Sequence, residues 1–272
     1  MRKNTRLQNN RAMRVIVASM VSLFSFAALA DPSAKEIMQK AGDARKLTGS
    51  EAVMKLSIFG KNKGDVRERK IALATKTVGT TEKRIYSFLA PADVKGTGVL
   101  TFDHDKKDDD TWVYLPKLRG EPRRIVSSAK GKKFLGSEFS YADLNTPILD
   151  NYKIKLLKTE KAGGTDCYVI EMLPASEKVA EEEGYSKKIV WVGKSDFMIR
   201  KSEFYDPDKA LLKVLTMKNI KLVDKKLKRY RAMYSEMVNK QDGRKSIFVT
   251  ERIENSPNVK DDLFTTAYLK RQ

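Results

Sequence analysis

The sequence predicts a mainly β protein, one antiparallel sheet preceded by a single helix, and two observations carry that expectation. From Glu51 onward the apolar residues recur with a period of two, in short runs. Turn chemistry separates many of these runs: Asn62-Lys63-Gly64, Gly163-Gly164, Asp206-Pro207-Asp208 and Gln241-Asp242-Gly243. Strands joined by such short turns form meandering antiparallel ladders, whereas parallel crossovers need a dozen or more residues between strands.

Read in order, the chain of 272 residues begins with an address. Arg2, Lys3, Arg6, Arg11 and Arg14 precede an uncharged apolar run from Val15 to Leu29, which ends in Ala28-Leu29-Ala30. A basic start, a short apolar core and an A-x-A site predict a secretory signal peptide cleaved after Ala30, with either Met1 or Met13 as the start. The run is too short for a hydrocarbon core about 30 Å thick. Cleavage removes five positive charges from a net +19 and leaves +14 on residues 31–272, which read as one domain. No cysteine stands directly after the apolar run, where Asp31 and Pro32 lie, and Cys167, alone in the chain, allows no internal disulfide.

Residues 33–47 place Ile37, Met38, Ala41 and Ala44 near one helical face. Strands are then expected at 51–59, 66–75, 80–89, 98–104, 111–115, 123–127, 152–160, 165–173, 187–193, 197–205, 211–223, 229–239, 245–254 and 263–269. Two segments break the rhythm: 128–150, long for a hairpin loop, and the acidic, helix-compatible 174–186. Several strands carry large apolar groups on both faces. Trp112 and Tyr114 oppose Val113 and Leu115, and Ile189 and Trp191 oppose Val190 and Val192. A sheet with one wet face alternates apolar with polar, so a second apolar face needs a cover or a guest.

Three segments in order carry a family resemblance: FLAPADVKGTGVLTFDH at 88–104, TWVYLPKLRGEPRRI at 111–125 and FLGSEFSYADL at 134–144. The chain resembles the outer-membrane lipoprotein-sorting (LolA-like) proteins. The resemblance implies an open half-barrel whose concave face is covered by an N-terminal helix and short helices or loops. It also implies a cavity that takes acyl chains of a lipoprotein or another envelope lipid, a periplasmic location, no cofactor, and an inner-membrane lipid exporter of the RND/MMPL type as partner. A monomer is expected. The cavity candidates are Arg84, Tyr86, Phe88, Leu100, Phe102, Trp112, Tyr114, Trp191 and Met217. Phe134, Leu135, Phe139 and Tyr141 are candidates for a mobile lid. An envelope sensor that binds lipid or outer-membrane protein on the same fold is the alternative.

Basic residues cluster at Lys117, Arg119, Arg123 and Arg124 and again at 225–231. Export would remove nucleic acid as their partner and leave an anionic membrane surface. Catalytic constellations fail one by one. His104 is the lone histidine, so a multi-histidine metal site is excluded. The acidic stretch 103–110 lacks the glycine and closing glutamate of a Ca²⁺ loop and reads as a polar hairpin tip. Ser127-Ser128-Ala129-Lys130 stands without the partner motifs of penicillin-binding enzymes, and Gly193-Lys194-Ser195 lacks the upstream glycine of a phosphate loop. No enzyme is expected.

Overall fold

The computed structural model describes residues 31–272, Lys63 excepted. The expected signal peptide at 1–30 lies outside the described residues. Helix α1 (Ala34–Arg45) opens on a capping box: Ser33 Oγ accepts from the Glu36 amide at 3.3 Å, and the Ser33 amide donates to Glu36 Oε2 at 2.8 Å. Then come β1 (Gly49–Phe59), β2 (Val66–Val78), β3 (Thr81–Ala90), β4 (Gly98–Asp103), β5 (Asp110–Tyr114) and the three-residue β6 (Arg123–Ile125). After a long irregular crossover follow β7 (Tyr152–Ala162), β8 (Thr165–Pro174), helix α2 (Glu177–Glu183), β9 (Lys187–Gly193) and β10 (Ile199–Tyr205). The chain ends with β11 (Leu211–Asp224), β12 (Arg229–Asn239), β13 (Lys245–Asn255) and helix α3 (Thr266–Arg271).

All thirteen strands join one sheet in the order β6-β5-β4-β3-β2-β1-β13-β12-β11-β10-β9-β8-β7, and each neighbouring pair is antiparallel. The first six strands meander outward from the middle to one edge. The crossover, residues 126–151, then carries the chain to the opposite edge. The remaining strands meander back until β13 pairs with β1. No ladder joins β6 to β7, so the sheet is open. A flat sheet of this width would span roughly 58 Å at about 4.8 Å per strand. The crossover spends much of its length in single 3₁₀ turns. It connects the two edges as the chord of a curved sheet, which places it over the concave, inner face.

Period-two alternation assigns each strand's two faces. Leu56 and Ile58 of β1, Ile71 of β2, Tyr86 and Phe88 of β3, Val99 of β4 and Val113 of β5 turn inward and share a core with Phe134 and Phe139 of the crossover. Farther along, Ile170 and Met172 of β8 and Val190 and Val192 of β9 pack under Ile37, Met38 and Ala41 of α1. The expectation that 263–269 is a strand is overturned. Thr265 caps α3 by accepting from the Tyr268 amide at 3.0 Å, and the helix seats the fully buried Leu269 on the outer face beside Ile85 and Leu100. Gly98 permits this approach, because a Cβ there would lie 2.5 Å from Leu269 Cδ1.

Candidate functional site

Beneath α1, the end of the crossover and the end of α2 lies a cavity of about 390 Å³ against the inner face of β8–β11. Its apolar wall includes Met38, Ala41, Met172, Val190, Ile199 and Leu215, and its polar rim includes Arg45, Asp109 and Thr146. α1 supplies one wall because its apolar stripe faces the sheet, while its last turn brings Arg45 to Thr146 Oγ1 at 2.7 Å.

The crossover that closes this space is clasped by buried polar groups near its end and near its middle. Arg84, turned inward from β3, donates to Glu82 at 3.0 Å, Asp103 at 2.9 Å and Asn145 Oδ1 at 2.6 Å. Arg231 of β12 donates to the other Glu82 oxygen at 3.2 Å. Asp103 also accepts from the Thr146 amide at 2.9 Å and from its hydroxyl at 3.0 Å. Burial works against the Arg84 charge, and Asp103 and Glu82 together outweigh it, so its pKa lies above the ordinary value. The acidic turn after β4 extends the clasp: Asp108 holds Ser127 and Lys130, and Asp109 accepts from Asn145 Nδ2 at 2.7 Å.

A second clasp sits nearer the middle of the crossover. Lys213, buried on β11, reaches Asp143 at 2.6 Å and the Glu138 carbonyl at 3.1 Å. Tyr185 donates to Asp143 at 3.0 Å. Burial alone would raise the Asp143 carboxyl, and Lys213 overrides it, so the pKa falls below the usual range. Glu138 in turn receives Asn239 at 3.3 Å, and its amide donates to Ser246 at 3.0 Å. Sequence reasoning did not single out Lys213. Its signal was a lysine on the inner parity of Lys213, Leu215 and Met217, where a charge survives only with a partner.

Asp109 titrates in an accessible range. Burial, then the neighbouring Asp103, pushes its carboxyl up to about 6. An unfolded aspartate titrates near about 3.9, so this group favours the fold most at low pH, and its contribution is lost as pH rises through about 4 to 6. Asp109→Asn removes that dependence. The urea midpoint of the variant, relative to the parent, is expected to climb across this window and then level off. An unchanging difference would show that Asp109 does not titrate there.

The structure distributes the cavity candidates over both faces. Met217 lines the cavity. Tyr86 and Phe88 face inward but are covered by Phe134 at centroid distances of 5.5 and 6.4 Å, and Arg84 is consumed by the clasp. Leu100, Phe102, Trp112 and Tyr114 are on the outer face against α3, because the β3–β4–β5 register sets Leu100 opposite Trp112 and both opposite in parity to Val99 and Val113. Trp191 is also outward, with Cys167 and Val169, and lines a separate depression with Glu160 and Lys201. Of the lid candidates, Phe134 and Phe139 are buried, while Leu135 and Tyr141 pack against the same core. Lys117 and Arg119 form the β5–β6 corner, and Arg123 and Arg124 sit on edge strand β6, where charge blocks edge-to-edge pairing. Among the described residues no helix is long and apolar enough to cross a membrane.

A protein-family model described only as an uncharacterized protein matches residues 80–271. No curated protein matches the sequence. Among solved structures, the chain is similar to a domain described as outer membrane lipoprotein-sorting from Vibrio parahaemolyticus. That likeness has 34% identity and a TM-score of 0.78, over 88% of this chain and 98% of the other. It is also similar to a DUF1329 family protein from Desulfovibrio piger, at 25% identity and a TM-score of 0.77, over 87% and 97% of the two chains. A LolA superfamily protein from Nitrosomonas europaea shares the fold at 22% identity and a TM-score of 0.66, over 88% and 100%. An open thirteen-stranded sheet with its concave face roofed by a helix and a clasped crossover, and this degree of identity over most of both chains, place the protein in the LolA-like outer-membrane lipoprotein-sorting family.

Proposed function

We propose that the protein is a periplasmic, non-catalytic carrier that shelters an acyl chain of a lipoprotein or another envelope lipid in the cavity beneath α1. The observation that carries this reading is the cavity itself. Its volume falls in the range of about 300–1,000 Å³ usual for small-molecule sites, and methionines and aliphatic side chains line it. Met38, Met172 and Met217 are unbranched and polarizable, which suits a guest of variable length. Each buried CH₂ is worth roughly 0.8 kcal/mol, so a sixteen-carbon chain would gain roughly 13 kcal/mol on leaving water. A carrier needs that shelter and a way to open it, and no chemistry.

The remaining parts of the reading follow from the same role. Residues 1–30 would be the signal peptide that exports the chain. An inner-membrane RND/MMPL-type exporter would be the donor or acceptor, and an anionic membrane surface the place of exchange. The cavity opens if α1 or residues 142–151 lift, since these form its roof.

Filling the cavity tests the proposal. Ala41 lines it from α1 and is 4% exposed. Ala41→Leu extends the side chain into that space and is expected to lower uptake of a fluorescent fatty acid at least about tenfold, with the thermal midpoint within a few degrees of the parent. Native mass spectrometry of protein purified from the periplasm should detect bound acyl species in the parent and fewer in the variant. A parent that co-purifies with none and takes up none would end the proposal.

A further inference from the structure

The β11–β12 hairpin has two parts. Near its base, β11 pairs with β10 as far as Thr216, and β12 pairs with β13 from Tyr234 onward. Between these limits and the turn, the backbones of the two strands pair only with each other. At about 3.4 Å per residue this leaves a free ribbon roughly 17 Å long on the β12 side. The ribbon is held rigidly from inside. Val223 and Met233 pack with Leu47, Ala52 and Ile253, and Arg231 is tied to Glu82. Asp224 pins the turn by accepting from the Leu227 amide at 2.9 Å and from Asn255 Nδ2 at 3.1 Å.

What this ribbon presents is unusual for a protein surface. Lys218, Lys221, Lys225, Lys226 and Lys228 are all exposed. None of them pairs with a carboxylate among the described residues. Asp224 is the only acid from 218 to 231. Leu222 and Leu227 stand among the lysines, 39% and 43% exposed. Edge protection accounts for lysines along an unpaired strand. It does not account for Lys225, Lys226 and Lys228, which lie in the turn beyond the last ladder pair, nor for two leucines left in water.

We infer that the β11–β12 hairpin tip, residues 218–231, docks the protein on an anionic bilayer, with the lysines on the headgroups and Leu222 and Leu227 entering the interface. The chemistry favours lipid over protein as the occupant. Protein interfaces are enriched in Tyr, Trp and Arg and depleted in Lys. Lysine's flexible stem and compact charge suit a fluid array of phosphates, with its methylenes lying along the apolar boundary. The inference rests on the carrier reading only for the choice of a membrane as the surface.

Vesicle sedimentation with the mature chain decides it, using phosphatidylcholine alone or mixed with phosphatidylglycerol. The parent is expected to bind the mixed vesicles, to ignore the neutral ones, and to be released by salt. Each basic residue near an anionic leaflet is worth about fivefold in partitioning, so Lys225→Ser, Lys226→Ser and Lys228→Asn together should weaken binding on the order of 100-fold. Leu222→Ser with Leu227→Ser should cost on the order of tenfold. Lys117→Ser with Arg123→Ser, at the β5–β6 corner, should change binding less than the tip variants do. The inference is overturned if the parent fails to bind mixed vesicles, if the tip variants bind as the parent does, or if the corner variant alone abolishes binding. Fatty-acid uptake separates the two proposals: tip variants that lose vesicles but still take up the probe leave the carrier reading standing.

Discussion

Replacing Arg84 by methionine is expected to destabilise the fold by about 3–5 kcal/mol, the usual consequence of removing one partner from a buried ion pair. The guanidinium is 7% exposed and serves Glu82, Asp103 and Asn145 at once. Methionine has similar length and fills most of the volume, so packing loss is small beside the electrostatic loss. Asp103 would keep its two donors from Thr146, and Glu82 would keep Arg231, but both carboxylates would be left short of positive charge in a buried place. Urea unfolding measures the loss. A cycle with Asp103→Asn isolates the pair, and a coupling of about 1–3 kcal/mol is expected because the groups touch. A single-variant loss below about 1 kcal/mol, the typical figure for an arbitrary substitution, would show that Arg84 is no keystone of the clasp. The effect should extend beyond stability. Asn145 and Thr146 are held by this cluster and also line the cavity, so amide exchange at 142–151 should quicken more than exchange in the sheet.

The strands were legible in the sequence because period-two alternation and turn chemistry are local signals. Every strand from Gly49 to Asn255 was anticipated, and the miss, α3, comes where Thr265 and Thr266 favour extended backbone locally but Thr265 instead caps a helix. Which face of a strand meets the cavity was not legible. Trp112 and Tyr114 are as apolar as Val113 and Leu115, and what separates them is α3, which arrives more than 150 residues later to cover the outer side. Part of the surplus apolar surface is thus hidden by the fold itself, and the part beneath α1 lines a cavity. The crossover posed the opposite difficulty. Its composition marks a long functional loop, yet its partners Arg84, Lys213 and Ser246 lie on three separate strands, and no local pattern brings them together. The acidic turn after β4 looked like an ordinary polar tip. Its carboxylates reach across to Lys46, Ser127, Lys130 and Asn145, which ties α1 and the crossover to the same corner of the sheet.

Phe134→Ala supplies the second large effect and asks whether the crossover is held chiefly by its charges or by its apolar anchor. Phe134 is fully buried between sheet and crossover, within 5.5 Å of Tyr86 and Tyr141 and 6.3 Å of Phe248 by ring centroid. Truncation removes the transfer free energy of the ring and leaves a void that β3 and β13 are too rigidly paired to fill, so about 3–5 kcal/mol is expected. The backbone around it strengthens the case. Leu135 holds φ at +47°, a conformation that costs a branched residue free energy and persists only while its neighbours enforce it. Once the ring is gone, that enforcement weakens and the segment from Lys133 to Tyr141 should detach before the sheet unfolds. Limited proteolysis distinguishes the two outcomes. Cleavage confined to 130–145 at denaturant levels where the sheet is intact would mark Phe134 as the anchor. Cleavage that begins only with global unfolding would assign the hold on the crossover to the Arg84 and Lys213 clasps, and make Phe134 one more residue of a common core.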